Sequence, residues 1–264
     1  MAEIFRRIEK KYILTKEQYE KLQDAISQYM VEDQYGKSTI CNIYFDSNQY
    51  QMISHSIEKP FFKEKVRLRS YNTPTQDSKV YLEIKRKCDG IVGKRRIEMR
   101  LREFNQYLND SSGVYITNQQ IKSELDYYFK MYQLRPAMYI SYTRTAYYQK
   151  DNPDFRLTFD SNVLARKYDL NLDGGEYGNQ ILENDKYIME IKTLNSIPLW
   201  LVEELTKLKI VPGSFSKYGT AYEKLVLEPI LLKHKISKRI KGEENCVVEF
   251  IHDNVRAKKA TASA

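Results

Sequence analysis

At 264 residues the chain can bury a substantial core within a single domain, and its formal net charge of +8 favours an anionic partner. Nucleic acid, phosphorylated small molecules, polyphosphate and an acidic membrane all fit that charge. Cys41, Cys88 and Cys246 lack CxxC spacing, which disfavours a disulfide framework or zinc site and favours a reducing cytoplasm. The N-terminus does not resemble a signal peptide, and no run approaches the ~18 apolar residues of a membrane-spanning helix.

Strand patterns dominate the chain, and helices are predicted between them. Thr15 is a suitable N-cap for the first helix, whose apolar residues recur at helical spacing. The predicted strands cover residues 4–13, 39–45, 63–71, 79–88, 93–102, 137–149, 154–165 and 186–192. The predicted helices cover residues 16–30, 117–132 and 198–209, with a brief one after Asp46 and a last one that runs from the 212–217 loop toward His234.

Charged residues alternate along many of these strands, and most of them are basic. Residues i, i+2 and i+4 share one face of a strand, so Lys65, Arg67 and Arg69 form a row with Val66 and Leu68 behind them. A single row of this kind is more often a solvated face, but several rows favour a binding surface. Since like charges repel, the rows are unfavourable without counter-anions. They contain Arg7, Glu9, Lys11, Lys65, Arg67, Arg69, Glu83, Lys85, Lys87, Lys94, Arg96, Glu98, Arg100, Arg144, Arg156, Thr158, Asp160, Glu190 and Lys192.

Charge also occurs on the opposite strand face, which favours a barrel. Arg6 and Lys10 flank Ile8, and Arg95 precedes Ile97. One charged face would line a wet interior, while the other would meet covering helices or solvent. The predicted fold class is therefore α+β, an antiparallel β-barrel with helices packed outside. An interior of Arg and Lys suits a polyanion, because guanidinium forks match phosphate oxygens and ammonium groups act as compact charges.

The carboxylates on the interior faces have two interpretations. They are Glu9, Glu83, Glu98, Asp160 and Glu190. Each could form ion pairs that keep a crowded basic wall folded, or one or two could bind Mg²⁺ or Mn²⁺, which prefer oxygen ligands and bridge phosphates. Glu190 is the strongest metal candidate because Lys192 lies beside it on the same face. Glu9, Glu83 and Asp160 are further candidates.

Other chemistries find little support in the sequence. His55, His234 and His252 are scattered outside the strand faces, so a histidine base is not expected. There is no nucleophile elbow, Walker-type glycine loop, RNP-like aromatic motif or helix-turn-helix pattern. Nucleic acid is therefore not the expected partner.

Seven short motifs follow one another within residues 3–230. They are Arg7-x-Glu9-x-Lys11, Lys65-Val66-Arg67-Leu68-Arg69, Leu82-Glu83-Ile84-Lys85, Tyr142-x-Arg144-Thr145-Ala146, Arg156-Leu157-Thr158-Phe159-Asp160, Met189-Glu190-Ile191-Lys192 and Ser216-Lys217-Tyr218. In this order they resemble the VTC domain, the polyphosphate polymerase module of the vacuolar transporter chaperone complex, in its stand-alone bacterial form. This domain is a branch of the triphosphate tunnel metalloenzymes, the CYTH-like superfamily. Arg7 replaces the first glutamate of that superfamily's ExExK signature, which weakens a two-metal hydrolase interpretation.

The resemblance implies a tunnel-shaped barrel that transfers the γ-phosphate of ATP to a growing polyphosphate chain, with Mn²⁺ or Mg²⁺ as cofactor. It implies that Glu190 binds the metal. Catalytic phosphate contacts are then expected from Lys11, Arg67, Arg69, Lys85, Arg144, Arg156 and Lys217. Further substrate contacts are expected from Arg7, Lys65, Lys94, Arg96, Lys192 and Ser216.

The domain bounds and the partners can also be predicted. The tunnel domain is predicted for residues 1–233, and 234–264 for a polar, basic tail that is partly disordered. The expected partners are ATP and inorganic polyphosphate in the cytoplasm. A membrane-protein partner and the oligomeric state are left open. Alternatives are a metal-dependent triphosphatase of the same fold and a non-catalytic polyphosphate- or nucleic-acid-binding barrel.

Overall fold

A ten-stranded antiparallel sheet forms the centre of the protein in a computed structural model, which describes residues 8–89, 91–110, 113–194 and 196–240. The strands are β1 (Ile8–Thr15), β2 (Met30–Glu32), β3 (Ser38–Asp46), β4 (Phe62–Tyr71), β5 (Lys79–Cys88), β6 (Ile91–Arg100), β7 (Arg135–Gln149), β8 (Asn152–Arg166), β9 (Asn179–Gln180) and β10 (Lys186–Thr193). The helices are α1 (Lys16–Tyr29), α2 (Gln51–Ile57), α3 (Leu101–Asn109), α4 (Gln119–Met131), α5 (Leu199–Lys207), α6 (Lys217–Tyr222) and α7 (Glu228–Ile240).

The strand order is β1-β10-β8-β7-β3-β4-β5-β6, with β2 beside β7 and β9 beside β8. This path brings strands from the two ends of the sequence together, since β1 pairs with β10. β7 and β8 are the longest strands, and their hairpin forms the middle of the sheet.

The sheet curls strongly, so that strands far apart in the order face each other. β1 and β5 are six strand spacings apart along the path, which would separate them by roughly 29 Å in a flat sheet. Yet Nζ of Lys85 on β5 lies 3.4 Å from Oε2 of Glu9 on β1. Among the described residues β1 and β6 do not pair with each other, so the barrel is a half-barrel. Its antiparallel, helix-covered architecture confirms the predicted fold class.

The outer face of the sheet is apolar and is covered by helices in two places. On one side Leu68, Leu82 and Ile97 are buried against Phe104 of α3 and Leu125 of α4. A second cluster packs Leu22 and Ile26 of α1 and Leu201 of α5 on β8 and β10. Arg95, which carries charge onto this face, pairs with Glu124 of α4 at 3.1 Å. Burial of this face fixes the register of each strand, because a one-residue slip would exchange the two faces.

The first helix begins where its cap predicts. Oγ1 of Thr15 accepts a hydrogen bond from the Gln18 N–H, and the Gln18 side chain accepts one from the Thr15 N–H, which completes a capping box. The predicted strands and the helices at 16–30, 117–132 and 198–209 are confirmed with shifts of a few residues at their ends. The predicted start of the first strand at residue 4 lies outside the described residues.

Three elements were not predicted. The chain enters α3 directly from β6, with Arg100 as its N-cap residue, so no Gly, Pro or Ser marks the boundary. β2 and β9 have three and two residues, and they exist through pairing rather than composition. The brief helix expected after Asp46 is α2.

The described residues up to Tyr222 form one compact unit, and Glu223–Ile240 belongs to a second. The second unit consists of a π-helical turn at Glu223–Leu227 and then α7. The predicted domain boundary at residue 233 stays a prediction, because 241–264 lies outside the described residues. None of the described helices combines the length and the apolar character that crossing a bilayer requires.

Candidate functional site

The inner face of the curled sheet gathers the charged rows of the sequence. Cross-strand pairing places the rows side by side: Lys11 is opposite Glu190, which is opposite Thr158, and Glu9 is opposite Lys192. On the other side of the sheet Lys65 is opposite Lys85 and Arg67 is opposite Glu83. All predicted site residues on β1, β4, β5, β6, β7, β8 and β10 that fall within the described residues lie on this one face.

A buried carboxylate on β8 holds two of the predicted phosphate ligands. Asp160 accepts hydrogen bonds from Nε and an Nη atom of Arg144, at 2.6 and 2.7 Å, and Nζ of Lys217 lies 2.5 Å from Oδ2. Burial opposes ionisation, but Arg144 and Lys217 hold the pKa of Asp160 well below its usual range. Asp160 therefore acts as an anion that positions two cations, which favours the ion-pairing interpretation for this residue.

Glu83 on β5 is a second buried carboxylate that pairs with two cations. Nε of Arg67 donates to Oε2 of Glu83 at 2.8 Å, and Nζ of Lys94 lies 2.5 Å from Oε1. Burial works against ionisation here also, but Arg67, Arg69 and Lys94 lower the pKa of Glu83 to about 2. Glu83 is 1% exposed. With two cations already in contact, it too fits the ion-pairing interpretation better than metal binding.

Arg69 differs because its hydrogen bonds go to neutral side chains. It donates to Oδ1 of Asn42 at 3.1 Å and to the Tyr142 hydroxyl at 3.3 Å. Burial alone would raise the pKa of Tyr142, but Arg144, Arg69 and Lys217 hold it below its usual value. Tyr44 receives a similar hydrogen bond from Arg67 at 3.2 Å. The sequence prediction did not include Asn42, Tyr44 or Tyr142 among the site residues, although Tyr142 and Arg144 share a face by the same period-two rule.

The loop of residues 212–216 pairs with the free edge of β1 and reaches a side chain of β4. Pro212 forms a bridge with Tyr12, and the Gly213 N–H donates to the Lys11 carbonyl at 2.8 Å. The Lys11 ammonium donates in turn to the Phe215 carbonyl at 3.3 Å. From the other side, Lys65 donates to Oγ of Ser216 at 3.0 Å. The loop therefore links β1 to Lys65 on β4, and it leads into Lys217, whose ammonium reaches Asp160.

Glu190 lies in the middle of the cationic wall. Nζ of Lys192 is 3.6 Å from its Oε2. Burial would raise the pKa of Glu190, but Lys192, Lys11, Arg144 and Lys85 lower it to about 2. Burial in turn lowers the pKa of Lys192 to about 8. Glu190 is thus an ionised carboxylate that no arginine fork contacts within the described residues.

The residues around Glu190 fit a hard divalent ion. Its carboxylate offers oxygen, the donor type that Mg²⁺ and Mn²⁺ prefer. Oγ1 of Thr158, its register partner on β8, is buried without a hydrogen-bond partner in the described part of the chain and offers a second oxygen. Glu9 lies on the neighbouring strand but contacts Lys85. No group of three His, Cys, Asp or Glu side chains with metal-binding geometry occurs among the described residues.

The remaining predicted residues lie at the edges of the site. Arg156 is exposed and donates to the Pro153 carbonyl at 3.3 Å. Arg96 is exposed, and its guanidinium lies 4.7 Å from the Tyr81 ring centroid. Arg7 lies outside the described residues. The roles of all these residues in binding or catalysis stay predictions.

The fold and the site define a curled antiparallel barrel with a cation-lined interior. Comparison with protein families matches residues 6–226 to the VTC domain. The chain therefore belongs to the VTC domain family, as the sequence motifs predicted. A comparison with curated proteins found no significant match.

The chain is also similar to solved structures, of which the first supports the fold. A proposed adenylate cyclase from Bacillus halodurans aligns with a TM-score of 0.50 and 14% identity over 80% of this chain and 93% of that chain. A proposed adenylate cyclase from Vibrio parahaemolyticus aligns with a TM-score of 0.45 and 11% identity, over 81% and 96% of the two chains. The PH1819 protein from Pyrococcus horikoshii aligns with a TM-score of 0.44 and 15% identity, over 83% and 99%. Family and fold together support a phosphate-handling role.

Proposed function

We propose that this chain is a cytoplasmic polyphosphate polymerase, which transfers the γ-phosphate of ATP to a growing inorganic polyphosphate chain. The observation that supports it most is the surplus of cations over carboxylates along one continuous inner wall. Arg69 hydrogen-bonds only neutral side chains, and Lys65 donates only to the Ser216 hydroxyl, among the described residues. These two cations make no direct contact with a carboxylate there and are available to phosphate oxygens.

The wall suits phosphoryl transfer, which depends mainly on positioning and charge neutralisation. Arg67, Arg69 and Arg144 present planar forks that match phosphate oxygens, while Lys11 and Lys65 act as point charges. Glu83 and Asp160 hold the arginines in fixed orientations, so little entropy is lost when substrate binds. The described interior strands contain no histidine, and none is needed, because the terminal phosphate of the acceptor is already anionic.

Glu190 and Thr158 would hold the metal ion. A divalent ion held there, Mn²⁺ or Mg²⁺, would act as a Lewis acid and would neutralise part of the charge that develops on phosphate during transfer. Lys192 and Lys11, beside Glu190 on the same wall, would bind the phosphates next to this position. The acceptor chain and ATP would then lie along the wall with their phosphates in line.

Incubation with ATP and Mn²⁺ tests the proposal. A polymerase converts ATP to ADP and forms polyphosphate long enough to resolve by gel electrophoresis. Release of free phosphate without polymer would instead identify a triphosphatase. Binding of polyphosphate without turnover of ATP, over a range of metal concentrations, would identify a non-catalytic barrel.

A further inference from the structure

The basic row on the inner face continues beyond the site, toward the hairpin end of β5. Lys65 and Lys85 are register partners inside the site, and Lys63 and Lys87 are the next partners on the same strand face. The two pairs are separated by two residues along each strand, which is about 7 Å. On β6, Lys94 is opposite Lys85, so the basic surface at this point is three strands wide.

Lys63 and Lys87 have no anionic partner in the described part of the chain, where no ion pair includes either lysine. Like charges directly opposite each other in a sheet are destabilising. Burial lowers the pKa of Lys63, and the charges of Lys87 and Lys59 lower it further. The charges of Lys87 and Lys59 therefore repel that of Lys63, and an external anion would relieve that repulsion.

We propose that Lys63 and Lys87 form an outer subsite for the distal phosphates of a long, flexible polyanion whose end is held in the inner site. The inference rests on the proposed polyphosphate substrate and deepens it. Because the two pairs of lysines are in line, one extended chain can contact Lys65 and Lys85 and then Lys63 and Lys87. A triphosphate held between β1 and β7 does not need the outer pair. The subsite therefore makes affinity depend on chain length.

An anionic membrane surface is the competing occupant of this end of the sheet. Phe61 and Phe62 are 71% and 40% exposed, and aromatic rings beside lysines suit a lipid headgroup layer. The strand faces on which the phenylalanine and the lysines lie favour the polyanion, however. Phe62 is opposite Cys88 and belongs to the outer face, whereas Lys63 and Lys87 belong to the face that lines the site.

The test compares a Lys63→Glu/Lys87→Glu double variant with wild type for two ligands, tripolyphosphate and long-chain polyphosphate. We expect the variant to bind the long chain at least about tenfold more weakly and the tripolyphosphate within about twofold of wild type. The salt dependence of long-chain binding should fall by a slope of about one for each lysine removed. A Lys130→Glu/Lys207→Glu variant makes the same charge change at exposed positions on α4 and α5 and should retain long-chain affinity. If the Glu variant does not fold, Lys63→Gln/Lys87→Gln replaces it.

Unchanged long-chain affinity in the Lys63/Lys87 variant, or an equal loss of tripolyphosphate affinity in it, would overturn the subsite. An equal loss of long-chain affinity in the Lys130/Lys207 control would also overturn it. So would a Lys63/Lys87 variant that no longer binds phosphatidylglycerol vesicles but still binds the long chain. The last result would assign the lysines to a membrane. Failure of the polymerase proposal looks different. If the wild type binds the long chain more tightly through these lysines but makes no polymer from ATP, the subsite is supported and the polymerase proposal is contradicted.

Discussion

At the scale of single residues, the arginines of the site fall into two kinds. Arg67 and Arg144 are paired with carboxylates that are each about 1% exposed, whereas Arg69 contacts Asn42 and Tyr142. From sequence alone, all three are expected to repel one another in the empty barrel, so their removal should be harmless to stability. The structure limits that expectation to Arg69, because removal of Arg144 leaves Asp160 with Lys217 alone.

The first prediction compares Arg144→Ala with Arg69→Ala. Each should lower activity about tenfold or more, since a charge-assisted hydrogen bond to phosphate contributes roughly 1.5–3 kcal/mol. Arg144→Ala should also lower the free energy of unfolding by up to about 3–5 kcal/mol, the usual cost of breaking a buried ion pair. Arg69→Ala should cost clearly less. Chemical denaturation measures both, and equal destabilisation by the two changes would contradict the distinction.

The second prediction concerns Glu190. Glu190→Gln should abolish metal-dependent turnover, because a neutral amide is a poor ligand for a hard cation. The protein should remain folded and keep much of its metal-free affinity for tripolyphosphate, since Lys11 and Lys192 stay in place. Glu98→Gln is the matched control, because Glu98 lies on the same strand face but contacts the exposed Lys79. Full activity of the Glu190→Gln variant across a Mn²⁺ titration would remove Glu190 from the metal site.

The third prediction is a pH dependence. Burial lowers the pKa of Lys65 and of Lys192 from 10.5 to about 8. Between these values the unfolded chain holds more protons than the folded one, so these two groups make the free energy of unfolding rise with pH. A bound polyanion stabilises the charged lysines and raises their pKa, so binding should take up protons at and just above pH 8. Calorimetry in buffers of different ionisation enthalpy measures this uptake, and binding without it would contradict the assignment.

At the scale of elements, the strands and their faces could be predicted because alternation reports which residues share a face. The first helix could be predicted because Thr15 and Gln18 provide a capping box. α3 could not be predicted, since it follows β6 without an intervening turn. The sequence also left open whether Glu83 and Asp160 form ion pairs or bind a metal. Each of these carboxylates meets two cations from different elements, and only the folded arrangement of strands and loop 212–216 brings those cations together.

The fourth prediction concerns Asp46, which ties three elements together. Its Oδ1 accepts hydrogen bonds from the N–H groups of Ser47 and Met52, and Oδ2 accepts from the Ile53 N–H and the Tyr218 hydroxyl. Because Tyr218 directly follows Lys217 in α6, this carboxylate helps to position the helix that begins at the site. Asp46→Asn turns one acceptor into a donor and should cost at least about 1–3 kcal/mol of stability, with reduced activity.

Thermal and chemical unfolding measure the change, and Asp77→Asn serves as its control. Asp77 is an exposed carboxylate that pairs with Arg100 and Arg102, so its loss should stay within about 0.5 kcal/mol. Equal stabilities of the two variants would show that Asp46 does not hold α2 and α6 in place.

At the scale of the whole molecule, the curl of the sheet converts rows of charge into an enclosed site. The contact between Glu9 and Lys85 joins strands that are six spacings apart in the order, and no local sequence pattern reports such a contact. The same curl concentrates the cations. Burial is the main cause of the lowered pKa of Lys11 and of Lys65, and the charge of Lys85, from a third strand, lowers both further. The empty interior is therefore under electrostatic repulsion.

The last prediction follows from that repulsion. A ligand that binds only the folded form stabilises it by RT ln(1 + [L]/Kd), about 2.7 kcal/mol at a hundredfold excess over Kd. Tripolyphosphate or short polyphosphate should therefore raise the melting temperature strongly, and added salt should weaken the effect by screening. Single-stranded nucleic acid at equal phosphate concentration should do much less, because its bases and sugars obstruct the space enclosed between β1 and β5. Scanning calorimetry with each ligand decides the matter: if nucleic acid stabilises the protein as much as polyphosphate does, the interior is a general polyanion-binding barrel rather than a polyphosphate site.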